Sequence, residues 1–180
     1  MQREIVEKAV ASGKVKIDTS LVYCHYNLED TTLQTSGYLD FLKAILTPRE
    51  AHPSSEQQFQ VMLNGVMLRQ EHGIGLIGAS PIAMGLLTSR GPPNWHPANH
   101  KPYIIEACNK ANEYCKAEGV DISRIAMFFT LANPDIPTTL VTSANPSRMA
   151  SNVAACYETP SEKDRSARPD PVLCAAPIAN

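Results

Sequence analysis

Apolar positions along the chain alternate between runs of helical period and short runs of strand character. Ile5, Val6, Ala9 and Val10 recur at helical spacing and Ser12-Gly13 closes the run, so residues 2–11 are predicted as a short amphipathic helix. Residues 15–23 (VKIDTSLVY) are β-branched and aromatic, which predicts a strand that emerges into the polar cluster Cys24-His25-Tyr26-Asn27. Helical spacing returns over residues 28–46, with Asp30 or Thr31 as cap and Pro48 as the stop. Residues 47–58 are polar and twice interrupted by proline, predicting a surface loop, and residues 60–70 read as a helix. The glycine-punctuated apolar run Gly73–Ala79 has the length of a buried parallel strand whose backbone is closely approached. A proline-dense loop over 88–102 precedes two helices, 104–116 and 123–133, the second capped by Asp121 or Ser123. Residues 138–142 (TTLVT) form a last strand, and Pro146 opens a helix that runs to about Cys156. Strand, helix, strand, helices, strand, helix is the order of an α/β fold with parallel strands and right-handed crossovers. Beyond Tyr157 the sequence is rich in proline and charge without period, and is expected to be a disordered tail.

Composition narrows the classes. The 180 residues, 43% apolar and 19% charged, suit one globular domain. Sixteen Lys and Arg against eighteen Asp and Glu leave no basic excess for nucleic acid or for a polybasic membrane patch. Charges mixed through the first eight residues leave no signal-peptide core, and the apolar stretch from Ile125 to Ala132 is too short to span a bilayer, so a cytoplasmic location is expected. Five cysteines, an odd number without a CxxC pair, fit reduced thiols.

In parallel α/β sheets ligands sit beyond the C-terminal strand ends, which directs attention to Cys24-His25-Tyr26-Asn27, Ser80-Pro81 and Ser143-Ala144-Asn145. After the last strand, Ser143 precedes a helix on which Arg148 and Asn152 lie four apart, near its positive N-terminal end, an arrangement suited to phosphate and adenine. The same spacing also describes a solvated helix face capped by Ser143 or Asn145. Ser80 stands either as a pyrophosphate contact or as a turn residue closed by Pro81. His96 and His100, with Cys108 and Cys115, raise the question of zinc, but the histidines sit in a proline-rich loop and the cysteines are expected on opposite sides of a helix, so no metal site is expected. His25 has no nucleophile with an orienting third group around it and reads as a satisfied polar residue. GxGxxG, GxxxxGK[ST] and GxSxG are all absent.

Leu21–Leu33 (LVYCHYNLEDTTL), Gly73–Ala98 (GIGLIGASPIAMGLLTSRGPPNWHPA) and Pro134–Val153 (PDIPTTLVTSANPSRMASNV) resemble the aldo-keto reductases, most closely the L-galactose dehydrogenase-like branch. The resemblance implies a partial (β/α)8 TIM barrel, about strands six to eight with their helices, within residues 1–156, and a tail over 157–180. It implies an oxidoreductase that uses NADP or NAD on a small carbonyl or sugar, with Ser80 at the pyrophosphate and Ser143, Arg148 and Asn152 at the adenosine and its 2′-phosphate. Ala79 stands where the family stacks an aromatic on the nicotinamide, and Thr142 where a lysine often meets the 2′-phosphate, so the choice between NADP and NAD stays open. The family's catalytic Asp, Tyr, Lys and His come from its first four strands, and no residue here matches them. Residues 43–67 read as an insertion. Insertion, tail and starting point together are what altered splicing or an imperfect gene model gives. The alternative to an enzyme is therefore a non-catalytic fragment that binds cofactor or a partner. A full barrel of this type takes roughly 250 residues, and three strands alone leave two open edges.

Overall fold

A computed structural model of the chain describes residues 2–14, 17–45 and 75–167. Helix α1 (Gln2–Ser12) ends at Gly13, whose φ of 62° supplies the left-handed turn that stops a helix. Among the described residues three strands succeed it: β1 (Thr19–Tyr23), β2 (Gly75–Ala79) and β3 (Thr138–Leu140). They form one parallel sheet in the order β1-β2-β3, with Tyr23 opposite Ala79 and Ala79 opposite Leu140. The α/β class and its parallel strands are thus as the sequence pattern predicts.

Several boundaries differ, each for a local reason. The helix expected over 28–46 is two pieces, α2 (Thr32–Thr35) and α3 (Tyr38–Ile45), parted by Gly37 at φ 69°. Its first turns are lost because the buried Asn27 side chain accepts from the Glu29 and Asp30 amides at 2.8 and 2.9 Å, while Asp30 accepts from Thr32 N at 2.7 Å. Such local side-chain acceptors stabilise turns at the expense of helix. The first strand begins at Thr19 rather than Val15, residues 15 and 16 lying outside the described part, and the third ends at Leu140. The expected 47–58 loop and 60–70 helix, and the proposed insertion beyond Ile45, also lie outside the described residues.

The proline-rich segment contains 3-10 turns at Ala83–Gly85 and Pro97–His100. It leads into α4 (Pro102–Ala117) and α5 (Ile122–Leu131), where Asp121 is the cap, accepting from Ser123 N at 2.8 Å. Helix α6 (Pro146–Ala154) is capped by Asn145. The segment after Tyr157 departs from the expected tail: α7 (Glu162–Ser166) is held by a capping box between Ser161 and Asp164. Asp164 is 7% exposed and Ala167 is fully buried. Arg124, stacked over Phe128, pairs with both Asp164 and Glu158 and fastens this segment to α5. Residues 168–180 lie outside the described part.

Two apolar clusters carry most of the packing. Leu28, Leu87, Cys108, Cys115, Ile122 and Ala126 form the larger one beneath the 3-10 turns, and Val6, Val22, Leu33, Leu42, Leu76 and Ile136 join α1 and α3 to the sheet. Each fully buried Leu or Ile contributes about 1.5–3 kcal/mol. Among the described residues one sheet face takes part. Val22, Leu76 and Gly78 point into the core, whereas on the other face Leu21, Tyr23 and Leu140 are 43%, 50% and 48% exposed.

Candidate functional site

The ends of β1 and β2 are built alike. Cys24 and Ser80, each directly after its strand, hold φ of 59° and 61°, a left-handed conformation that costs a non-glycine residue about 1–2 kcal/mol. Cys24 N donates to Ala79 O at 3.1 Å and Ser80 N to Leu140 O at 3.3 Å, so each strand end is pinned to the next strand. Ser80 also organises the turn after β2: its Oγ accepts from Met84 N at 2.8 Å and its carbonyl from Ala83 N at 3.0 Å. Ala83, Met84 and Gly85 all carry positive φ, so strain is concentrated in that turn. Backbone strain of this kind collects at binding and catalytic sites.

His96 stabilises the turn from behind. It is buried, its Nδ1 accepts from Ala98 N at 3.0 Å and its Nε2 lies 3.0 Å from the Ala83 carbonyl, so both ring nitrogens are engaged by the backbone. His100 is exposed. Cys108 and Cys115 are both buried on one side of α4 with Ala111, which corrects the expectation that they face opposite ways: seven residues are close to two helical turns. Among the described residues no three His, Cys, Asp or Glu side chains are grouped as metal ligands.

Beside Ser80, burial pushes the Cys24 thiol up, a hydrogen bond from the Ser80 hydroxyl pulls it down, and the charges of Glu29 and Asp30 push it up again; the net shift is upward. An upward shift disfavours the thiolate, which is the nucleophilic form. Glu29 is likewise raised, by burial first and Asp30 second, against the pull of Lys101 and His25. His25 is exposed, with Nδ1 3.1 Å from Asp30 Oδ2 and 2.9 Å from Thr32 Oγ1. Asp30 is thus an orienting partner that the sequence pattern offered only as a helix cap; its position five residues on from a strand-end histidine was the available signal.

Past β3, Ser143 Oγ accepts from Asn145 N at 3.2 Å, and the Asn145 side chain accepts from Arg148 N at 3.1 Å. Arg148 is exposed, Asn152 half-buried, and no side chain of α6 is fully buried. Among the described residues no carboxylate pairs with the Arg148 guanidinium. Ser80 and Ser143 therefore flank the end of β3, and the face of α6 bearing Arg148 comes directly after it. Hydroxyl donors, a helix N-terminus and an unpaired guanidinium in sequence suit an extended ligand with several negative phosphates. Ala79 and Thr142 bring no aromatic ring or ammonium to these strand ends.

No helix among the described residues is long and apolar enough to cross a membrane. The model of the aldo/keto reductase family matches residues 50–170. The chain is also 36% identical over 142 residues to L-galactose dehydrogenase from Arabidopsis thaliana, an alignment that covers 79% of this chain and 35% of that protein. The chain thus spans about a third of the length of this relative.

Proposed function

Because the chain belongs to the aldo/keto reductase family, we propose that it is the cofactor-binding part of an NADP- or NAD-dependent oxidoreductase acting in the cytoplasm on a small carbonyl or sugar, L-galactose-like in class. The three strands then correspond to strands six to eight of a (β/α)8 barrel, and the α7 segment belongs to the region that the family model matches. The observation that carries this reading is the run of Ser80, Ser143 and the Arg148 face of α6 along two neighbouring strand ends. Ser80 would donate its hydroxyl to the pyrophosphate, Ser143 and the α6 N-terminus would meet the adenosine side, and Arg148 with Asn152 would hold the 2′-phosphate and the adenine. The bound cofactor would supply a hydride.

Reduction of a carbonyl also needs a proton donor, and the Cys24 thiol and the Asp30-bound His25 directly follow β1. Neither matches the family's Asp, Tyr, Lys and His, so this chain alone is expected to bind cofactor without turnover. Fluorescence titration of the 180-residue protein with NADPH and NADH tests this. NADPH should bind, and Arg148→Gln should weaken it about tenfold or more while changing NADH little, as expected for a charge-assisted phosphate contact. Absence of binding by either nucleotide would refute the proposal, and turnover of a small aldehyde would replace the binding-only form with an enzyme.

A further inference from the structure

The turn after β2 is held from two sides through a single peptide unit. The Ala83 carbonyl and the Met84 amide belong to one planar trans peptide, so they point in opposite directions. On one side Met84 N donates to Ser80 Oγ at 2.8 Å. On the other, the Ala83 carbonyl accepts from Leu86 N at 3.0 Å within the turn and lies 3.0 Å from His96 Nε2. Ala83 and Met84 hold φ of 47° and 52°, the left-handed region that residues with a Cβ avoid. Flipping this peptide would take Met84 out of that region, and it would also turn the Met84 N–H away from Ser80. The strained orientation persists only while the bonds at both ends of the peptide outweigh the strain.

The bond from His96 has one chemical form. Ala98 N can only donate, so Nδ1, 3.0 Å away, accepts from it, and the Ala83 carbonyl can only accept, so Nε2 carries the proton. The buried ring is thus the Nε2–H tautomer. Its backbone is equally fixed. His96 N donates to Pro93 O at 2.9 Å, and Asn99 Nδ2 donates to the Pro93 and Asn94 carbonyls at 2.9 and 2.8 Å, which ties residues 93–99 into one loop. A Cβ added at Gly85 would lie 3.7 Å from Pro93 Cδ, so this loop packs directly against the turn.

We propose that His96 is a positioning residue for the pyrophosphate contact: its Nε2–H holds the Ala83–Met84 peptide in the orientation that aims Met84 N at Ser80 Oγ, and thereby leaves the Ser80 hydroxyl proton for a phosphate oxygen. The proposal rests on the dinucleotide reading of the strand ends. A turn that is ordered only part of the time binds in proportion to its ordered fraction, and loss of one such hydrogen bond is expected to weaken binding about tenfold.

Two substitutions separate the two bonds of the ring. His96→Gln places an amide nitrogen near the position of Nε2 and gives up the bond from Ala98, whereas His96→Asn keeps an acceptor for Ala98 N and falls short of Ala83. In the nitrogen-15-labelled full chain without nucleotide, the Met84 amide should exchange with solvent about tenfold faster in His96→Asn and at nearly the parent rate in His96→Gln. Fluorescence titration should show NADPH and NADH both weakened about tenfold by His96→Asn, because the pyrophosphate is common to them, and both largely restored in His96→Gln. In a Ser80→Ala background, His96→Asn should cost no further affinity, since no hydroxyl remains to be oriented. Parent-like Met84 exchange in His96→Asn, equal loss in the Asn and Gln variants, or losses that add to that of Ser80→Ala would overturn the proposal. If the parent chain binds neither nucleotide, the dinucleotide reading fails and the pyrophosphate role of His96 fails with it, while Met84 exchange still decides whether His96 holds the peptide.

Discussion

Replacing Asp164 with alanine should show how strongly the segment after Tyr157 is tied to the rest of the chain. The Asp164 carboxylate accepts from Ser161 N at 2.9 Å and from Ser161 Oγ at 2.8 Å, and it faces Arg124 at 3.4 Å. Losing one side of a capping box costs about 1 kcal/mol. Arg124 keeps Glu158 and its stack on Phe128 and is one-third exposed, so loss of the second carboxylate adds only about 1 kcal/mol more. The sum of about 2 kcal/mol corresponds to a fall of roughly 4–8 °C in a chain of this size. Burial alone would raise the Asp164 pKa, but the Ser161 hydrogen bonds and Arg124 outweigh it and hold it below the ordinary value. A depressed carboxylate stabilises the fold above its unfolded pKa, and this stability is lost as pH falls through the folded value. Thermal melts of the two proteins should therefore differ at pH 7 and converge progressively below about pH 4. Equal midpoints at pH 7 would mean that the α7 segment is not anchored by this network.

Other substitutions probe the sheet and the strand ends. An added Cβ at Gly78 would lie 2.8 Å from Ile136 Cγ2, so Gly78→Ala should destabilise by about 1–3 kcal/mol in urea unfolding, with partial rescue by Ile136→Val. Glu29 has a raised folded pKa, so its ionisation opposes folding as pH rises through that value; Glu29→Gln should raise the midpoint at pH 7, with the difference vanishing below about pH 4. Tyr23 occupies the position opposite Ala79 with its ring half exposed on the same face, and under the proposed function it offers the aromatic surface that Ala79 lacks. Tyr23→Ala should then weaken nucleotide binding several-fold in the same fluorescence titration, and unchanged affinity would remove Tyr23 from the site.

The parallel sheet was legible because runs such as LVY, GLIGA and TTL combine strand composition with turn residues at their ends. The break in the helix after β1 was not, since it depends on Asn27 and Asp30 accepting backbone protons locally, and Asp30 reads equally well as a helix cap. The helix at Glu162 was hidden for a different reason. Its apolar anchoring is one alanine and its main attachment is an ion pair with a residue forty positions away, and neither produces a hydrophobic period. At the strand ends, the positions of Ser80 and Ser143 followed from strand placement, but the left-handed backbone at Cys24 and Ser80 has no compositional marker, because neither residue is the glycine that usually announces it.

The spacing of the three strands sets a timetable for synthesis. Gly75, the partner of Thr19, lies about 56 positions further along the chain, and Thr138 lies about 61 beyond its partner Ile77. At ribosomal rates of about 5–20 residues per second, β1 leaves the ribosome roughly 3–11 s before β2 exists to pair with it, and β2 waits as long again for β3. In the first interval the nascent chain presents β1, with Leu21 and Tyr23, unpaired, and in the second the waiting edge is that of β2. Slow nonlocal closure on both sides of the central strand leaves these edges open to pairing with other chains during translation.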